Sequence, residues 1–204
     1  YVMHNKNMTP EVETALHGKL TALLKEYDVV IVADFGHGLI TDRLRQLLCD
    51  KAKFLAVNTQ TNAGNRGFNM ISKYTRADYV SIGEPEVRLD CRDLVGDLEA
   101  MAVGVAKRMS CKRFMVTRGS SGCFCVDKDD GLVKVPAFSI RVVDRIGAGD
   151  AVLALTSPLV AQNISTEATG FIANVVGAEA CMIMGNKSSI EPASLFRHIT
   201  SLLK

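Results

Sequence analysis

The chain has 204 residues, of which 48% are hydrophobic, and this is enough apolar material for one sizeable core. A net charge of only +2, with neither a long basic run nor a long apolar stretch, argues against nucleic acid or a membrane as a partner. The six cysteines lack Cys-x-x-Cys spacing, so we expect reduced thiols in a cytoplasmic protein rather than a disulfide or zinc framework.

Helix and strand patterns alternate through the first half of the chain. Thr9-Pro10 is typical of a helix start, and apolar residues at helical spacing predict a helix to about Tyr27. Further helices are predicted from Thr41 and around 98–105, and continuous apolar runs predict buried strands at 28–33, 54–57, 79–82 and 114–117. This alternation predicts an α/β fold with a doubly wound, mostly parallel sheet. No linker composition interrupts it, so we expect one domain over 1–204.

The pattern changes after residue 122. Two short strand patterns, 123–126 and 132–135, flank a polar turn and predict a β-hairpin. The remaining residues are predicted to be mostly helical, at about 149–162, 166–184 and 191–203. Pro158 lacks a backbone donor and is expected to kink the first of these helices or end it early.

The most informative stretch is the glycine turn Gly147-Ala148-Gly149 followed by Asp150. Unhindered N–H groups at a helix start bind anions, because the free donors and the helix dipole both favour negative charge. Asp150 beside such a site can accept a proton from an alcohol that attacks a phosphate. The alternative is a glycine turn with Asp150 as a plain N-cap.

This segment resembles the Asp-x-x-Gly-Ala-Gly-Asp signature of the PfkB, or ribokinase-like, family of sugar and nucleoside kinases. The resemblance implies a three-layer ribokinase-like fold with ATP and Mg²⁺ as cofactors. It assigns the anion hole and the catalytic base to Gly147, Ala148, Gly149 and Asp150, and a nucleotide-site position to Asp144. The chain departs from the family at Arg145 and Ile146, where small or hydroxylated residues are usual. Arg145 either adds a cation near phosphate or, as we prefer, points to solvent.

Two further matches concern the nucleotide. The turn from Thr117 to Gly122 resembles the family's Thr-x-Gly-x-x-Gly turn, which implies nucleotide contacts for Thr117, Gly119 and Gly122. A strand-to-hairpin turn favours glycines in any case. Asn174 and Gly177 match positions that line the adenine pocket in similar kinases, although Asn174 is equally compatible with a solvent-facing position.

The segment after the third predicted strand, 81–86, occupies the place of the family's Asn-x-x-Glu motif. Glu86 matches the glutamate and is the candidate Mg²⁺ ligand, whereas Gly83 replaces the asparagine. Loss of one ligand need not abolish binding, since few protein oxygens hold Mg²⁺. The alternative is that the acidic residues here simply suit a helix start.

Two loops remain. The turn that begins at Asp34 is similar to the Asp-Tyr-Gly-Lys-Gly turn of the family's heptose-kinase branch, and Asp34 is either near phosphate and Mg²⁺ or a turn-forming residue. The polar loop 58–69 is interpreted mainly as a solvated connection. Its alternative role is substrate contact, including a phosphate grip by Arg66.

These observations predict an ATP- and Mg²⁺-dependent phosphotransferase that acts on an alcohol group of a sugar or sugar phosphate, with a modest preference for a heptose phosphate. The alternatives are a nucleoside or vitamin kinase of the same fold and a nucleotide-binding or assembly domain without catalysis. The resemblance covers the chain but only the later part of such a kinase, so we expect an N-terminally truncated domain that phosphorylates sugars poorly by itself. Tyr1–Met3 is expected to be the tail of an earlier strand. A homodimer of the full-length protein is compatible with the resemblance.

Overall fold

The computed structural model describes residues 8–138 and 142–204, so the predicted strand tail at Tyr1–Met3 lies outside the described residues. The described residues form one six-stranded sheet with seven helices. The strands are β1 (Val30–Asp34), β2 (Leu55–Thr59), β3 (Tyr79–Gly83), β4 (Arg113–Thr117), β5 (Cys123–Asp127) and β6 (Gly131–Val135). The helices are α1 (Pro10–Leu23), α2 (Asp42–Lys51), α3 (Glu84–Cys91), α4 (Leu98–Arg108), α5 (Ala148–Ala161), α6 (Thr166–Cys181) and α7 (Pro192–Leu202).

The strands lie in the order β1-β2-β3-β4-β5-β6, with β1 to β4 parallel and the β5–β6 hairpin antiparallel. Helices α2, α3 and α4 cover one face of the sheet, and α5 and α6 cover the other. The predicted three-layer, mostly parallel ribokinase-like α/β fold with a small hairpin is therefore confirmed. The carboxyl ends of β1 to β4 meet at one edge, where ligands bind in sheets of this kind.

Two hydrophobic clusters result from the alternation of side chains along the strands. Phe114 and Val116 of β4 enter the cluster beneath α2, α3 and α4, whereas Met115 enters the cluster beneath α5 and α6. Cys123 and Cys125 share the second cluster, and all six cysteines are free thiols, as predicted. Burial on both faces explains why the central strands have continuous apolar sequences.

Three details differ from the sequence predictions. Helix α1 ends at Leu23 rather than near Tyr27, and α3 was predicted only as an acidic helix start. Of the two expected effects of Pro158, a kink or an early end, the early end is wrong, because α5 continues to Ala161. Pro158 removes only one backbone donor near the helix end, and packing of α5 on β1, β2 and β3 holds the rest in place. None of the helices in the described residues has the length and hydropathy needed to cross a membrane.

Candidate active site

The start of α5 builds the centre of the site. Gly147 is the N-cap residue and has φ 79°, a left-handed conformation that glycine adopts without strain. Gly149 follows in the first turn, and a Cβ placed on it would meet only the Asn58 Nδ2, at 3.9 Å. The first-turn N–H groups, which have no intrahelical acceptor, are therefore not crowded by protein atoms at this position. This geometry suits an anion.

Asp150 lies at the third position of α5 and is partly buried. Because Gly147 is the N-cap residue and no side chain caps this helix, the alternative interpretation of Asp150 as a plain N-cap is wrong. Its Oδ1 accepts a hydrogen bond of 3.3 Å from the Gln60 Nε2. Burial raises the pKa of Asp150 above its ordinary value, and the Gln60 bond opposes this shift. A carboxylate with a raised pKa is a better proton acceptor.

Asp144 has a different environment from Asp150. Its Oδ1 accepts from the Ile146 N–H at 3.0 Å, and its Oδ2 accepts from the Gly185 N–H at 2.9 Å. These two backbone hydrogen bonds hold the pKa of Asp144 below its usual range, and the bond from Ile146 has the larger effect. Asp144 ties the glycine turn to the segment after α6 and does not line the adjacent cavity. Nucleotide contact by Asp144 stays a prediction.

A cavity of about 600 Å³ opens beside the start of α5. Its size falls within the range of small-molecule sites. The turn between β4 and β5 forms one wall, α5 and α6 form the others, and apolar groups such as Val152 and Phe138 dominate between them. Seven of the predicted site residues line this cavity: Thr117, Gly119, Gly122, Ala148, Gly149, Asn174 and Gly177. The residues present fit a nucleotide.

The structure gives individual reasons for the residues of this wall. A Cβ on Gly122, which has φ 80°, would lie 2.3 Å from the Val135 carbonyl oxygen, so only glycine fits there. The Asn174 Nδ2 donates to the carbonyls of Val135 and Pro136, at 3.2 and 3.0 Å, so its side chain is held at the end of β6 while it stays partly exposed. Adenine contact by Asn174 stays a prediction. Arg145 is exposed to solvent, as preferred, but it also lines the cavity.

Glu86 lies at the third position of α3, and its Oε1 accepts from the Thr61 N–H at 3.2 Å. Burial raises the pKa of this carboxyl, and backbone bonds led by that of Thr61 oppose the shift. Thr61 is adjacent to Gln60, so the candidate metal ligand and Asp150 contact neighbouring residues after β2. A Cβ on Gly83 would lie 2.6 Å from the Glu86 Oε2, so the absent asparagine side chain makes room for this carboxylate.

The donor set near Glu86 limits which metals fit. Within residues 8–138 and 142–204, no group of three or more His, Cys, Asp and Glu side chains is placed to hold a metal ion. Mg²⁺ is commonly bound by one or two carboxylates, with phosphate and water completing its shell. The single carboxylate of Glu86 is compatible with Mg²⁺ in that mode.

Asp34 is a turn-forming residue. It is 3% exposed, its Oδ1 accepts from the Gly36 N–H at 2.9 Å, and its Oδ2 accepts from the Tyr74 hydroxyl at 2.7 Å. The Lys73 Nζ lies 2.6 Å from the same Oδ2. Both carboxylate oxygens of Asp34 thus have partners within the protein. These contacts favour the turn-forming interpretation of Asp34 over proximity to phosphate or Mg²⁺.

The interpretation of loop 58–69 as a solvated connection is wrong for two of its asparagines. Asn65 and Asn69 are 7% and 4% exposed, and their amides donate to the carbonyls of Phe35 and Asp34, each at 2.7 Å. Arg66 is exposed, and a phosphate grip by it stays a prediction. Sequence reasoning missed Gln60 as the partner of Asp150. The available signal was its position just after β2 and two residues beyond Asn58, where the alternation of side chains along the strand would continue.

The pfkB family carbohydrate kinase pattern matches residues 77–193, which is more than half of the chain. The chain belongs to the PfkB family of carbohydrate kinases. The matched range of this PfkB-family chain contains the predicted site residues from Glu86 to Gly177, whereas Asp34, Gln60 and Arg66 precede it.

Relatives and solved structures agree with this assignment. The chain is 22% identical over 183 residues to the bifunctional protein HldE of Citrifermentans bemidjiense, covering 88% of the chain and 37% of HldE. Phosphofructokinase-2 of Escherichia coli in complex with fructose-6-phosphate superposes with a TM-score of 0.74 at 15% identity, over 97% of the chain and 63% of that enzyme. A nucleoside kinase of Burkholderia thailandensis in complex with inosine gives a TM-score of 0.70 at 20% identity, over 91% and 60%. The PfkB-family chain thus spans less than two thirds of each of these proteins.

Proposed function

We propose that the protein is an ATP- and Mg²⁺-dependent phosphotransferase that phosphorylates an alcohol group of a sugar or sugar phosphate. The observation that carries the proposal is the partly buried Asp150 carboxylate in the first turn of α5, a turn whose Ala148 and Gly149 line a nucleotide-sized cavity. Phosphoryl transfer asks an enzyme mainly for positioning and for charge stabilisation, and this arrangement offers both.

The family resemblance suggests a role for each residue, and the geometry is compatible with these roles. The cavity between the β4–β5 turn and α6 holds the nucleotide, and the N–H groups from Gly147 to Gly149 stabilise charge on the transferred phosphoryl group. Asp150 orients the acceptor hydroxyl and removes its proton. Glu86 is the residue that would hold Mg²⁺, which neutralises phosphate charge when bound.

The acceptor is proposed from similarity. The likeness to HldE and the turn at Asp34 favour a heptose phosphate, and the neighbour bound to fructose-6-phosphate supports the wider class of sugar phosphates. A nucleoside acceptor is the second candidate, because another neighbour binds inosine at a similar TM-score. Assays with sugar phosphates, nucleosides and vitamin alcohols separate these acceptors. ATP binding without turnover on any of them identifies a binding or assembly domain, the reading that Gly83, Arg145 and Ile146 favour.

The decisive test is Asp150→Asn in the full-length polypeptide that carries this chain. Asparagine keeps the size of the side chain but does not accept the hydroxyl proton, so turnover should fall about 10²–10⁴-fold while ATP affinity is nearly unchanged. Asp50→Asn, an exposed aspartate on α2, is the matched control and should retain full turnover. Steady-state kinetics and calorimetry provide the readouts. Wild-type turnover in Asp150→Asn refutes the catalytic assignment.

Two properties of the whole enzyme belong to the same proposal. Six free thiols are suited to the reducing cytoplasm, where we place the reaction. A homodimer is the proposed assembly of the full-length protein, and light scattering tests it directly.

A further inference from the structure

We propose that Gln60 is a positioning residue for Asp150: its side-chain amide fixes which carboxylate oxygen of Asp150 faces the acceptor hydroxyl. The inference rests on the phosphotransferase function proposed above. It also gives the polar loop 58–69 a purpose, because the buried asparagines of that loop hold the backbone of Gln60 in place.

The alternation of side chains along β2, continued one residue beyond the strand, places the Gln60 side chain on the side of the sheet that faces Asp150. Ala56 of β2 packs in the cluster beneath α5, and Asn58, two residues on, lies 3.9 Å from the Cβ position of Gly149. Gln60 occupies the next position on that face, where its Nε2 donates to the Asp150 Oδ1 at 3.3 Å. Ala56, Asn58 and Gln60 thus lie in sequence beneath α5, from its apolar core contacts to its first turn.

The backbone of Gln60 is fixed from two directions. Its N–H donates to the Asp34 carbonyl at 3.0 Å. Its carbonyl accepts from the amides of Asn65 and Asn69, at 3.2 and 3.1 Å. We call Asn65 and Asn69 the asparagine clamp. Asn69 also donates to the Asp34 carbonyl at 2.7 Å, so the clamp joins the end of β1 to the residue after β2.

Two carboxylates next to this assembly already have partners of their own. Behind the clamp, Asp34 and Lys73 lie 2.6 Å apart. On the other side, the Glu86 carboxylate accepts from the Thr61 N–H. The neutral amide of Gln60 is therefore the group that these contacts direct at Asp150. A hydrogen bond to a carboxylate favours its charged form, so Gln60 counteracts the effect of burial on the pKa of Asp150.

The chemical consequence concerns the two carboxylate oxygens. The amide occupies Oδ1 and leaves Oδ2 to receive the proton of the acceptor hydroxyl. As the acceptor oxygen bonds to the terminal phosphorus of ATP, the bond from that phosphorus to the ADP oxygen breaks. The proton stays on Asp150 until solvent removes it. Gln60 gains and loses nothing in this step, which distinguishes a positioning residue from a catalytic one.

The test compares Gln60→Leu, which removes the donor, with Gln60→Glu, which keeps the size but places a like charge beside Asp150. Turnover should fall roughly ten- to hundredfold in Gln60→Leu because the base is misaligned, with KM for ATP nearly unchanged. The acid limb of the pH–rate profile should move to higher pH in Gln60→Leu and further in Gln60→Glu. Gln162→Leu, the same change at the far end of α5, is the matched control and should leave the profile unchanged.

A second readout separates failure of this inference from failure of the proposed function. The side-chain carboxyl ¹³C resonance of Asp150, identified by its loss in Asp150→Asn, is titrated in the wild type and in both Gln60 variants without substrate. A titration that moves upward in the order wild type, Leu, Glu supports the inference even if no acceptor is found. An unmoved titration overturns it, even if Asp150→Asn has shown that Asp150 is the base.

Discussion

The two ends of the sheet differ in how completely they pair their buried polar groups. At the amino end of β4, the Arg113 guanidinium pairs with Asp127 and donates to the Ile164 carbonyl at 2.7 Å and the Thr169 hydroxyl at 3.2 Å. On β2 and β3, three buried atoms have no hydrogen-bond partner in the described part of the chain: Asn58 Oδ1 and Thr59 Oγ1 at the carboxyl end of β2, and Ser81 Oγ in the middle of β3. The amino end is built for stability, whereas the carboxyl end keeps unused polar capacity where we place the reaction.

The largest expected effect on stability is at the amino end of β4, where Arg113 pairs with Asp127. Arg113→Met keeps the length of the side chain but leaves Asp127 as a buried charge without its partner, so the free energy of unfolding should fall by about 3–5 kcal/mol. Arg197→Met on exposed α7 is the control and should change it by less than about 0.5 kcal/mol. Urea denaturation of both variants provides the comparison. A loss in Arg113→Met no larger than in the control would show that the pair is not structural.

As pH falls, the contributions of Asp127 and Asp150 to the free energy of unfolding should change in opposite directions. Burial alone would raise the pKa of Asp127, but the Arg113 bond and the N–H groups of Asp129 and Asp130 outweigh it and hold the pKa below its ordinary value. Its stabilising contribution is therefore complete above the unfolded pKa of about 3.9 and is lost as pH falls through the lower folded value. Asp150 has a raised pKa, so its contribution is complete at low pH and is lost as pH rises through the folded value.

The measurement is the free energy of unfolding against pH in wild type, Asp127→Asn and Asp150→Asn. Asp127→Asn should be destabilised at neutral pH, with the difference shrinking in acid. Asp150→Asn should be more stable than wild type at neutral pH and match it in acid. Parallel curves for the two variants would contradict the contrast between the two ends.

The smallest expected effect concerns an unpaired group. Ser81→Ala removes a buried hydroxyl that forms no hydrogen bond in the described structure, so stability should change by less than about 0.5 kcal/mol or rise slightly. Thr169→Val, which removes a buried hydroxyl that is bonded to Arg113, is the matched variant at the paired end and should cost about 1–3 kcal/mol. Thermal melting distinguishes them, and equal losses would remove the distinction between the ends.

Much of the fold follows from local pattern. Strands β2, β3 and β4 have continuous apolar runs because they are buried on both faces, and the hairpin has its strands at the predicted positions. The prediction of full burial is wrong for β1, which lies at one edge of the described sheet and alternates between buried and exposed residues, with Ile31 41% exposed. Helix α3 was harder to predict because it has only eight residues and one buried side chain, Val87. Asp150 could be predicted as a site residue because its motif consists of neighbouring residues in the sequence. Gln60 was not, because the pair joins residues 90 positions apart and depends on how α5 crosses β2.

The exit of β2 has a consequence for the spacing of the proposed site. Gln60 contacts Asp150, and the adjacent Thr61 contacts Glu86, so one dipeptide links the proposed base and the proposed metal ligand across two helices. Consecutive Cα atoms are about 3.8 Å apart, so these two anchor points keep a nearly constant separation when the surrounding loops change. Exchanging segments elsewhere would therefore leave the spacing of these two anchor points unchanged.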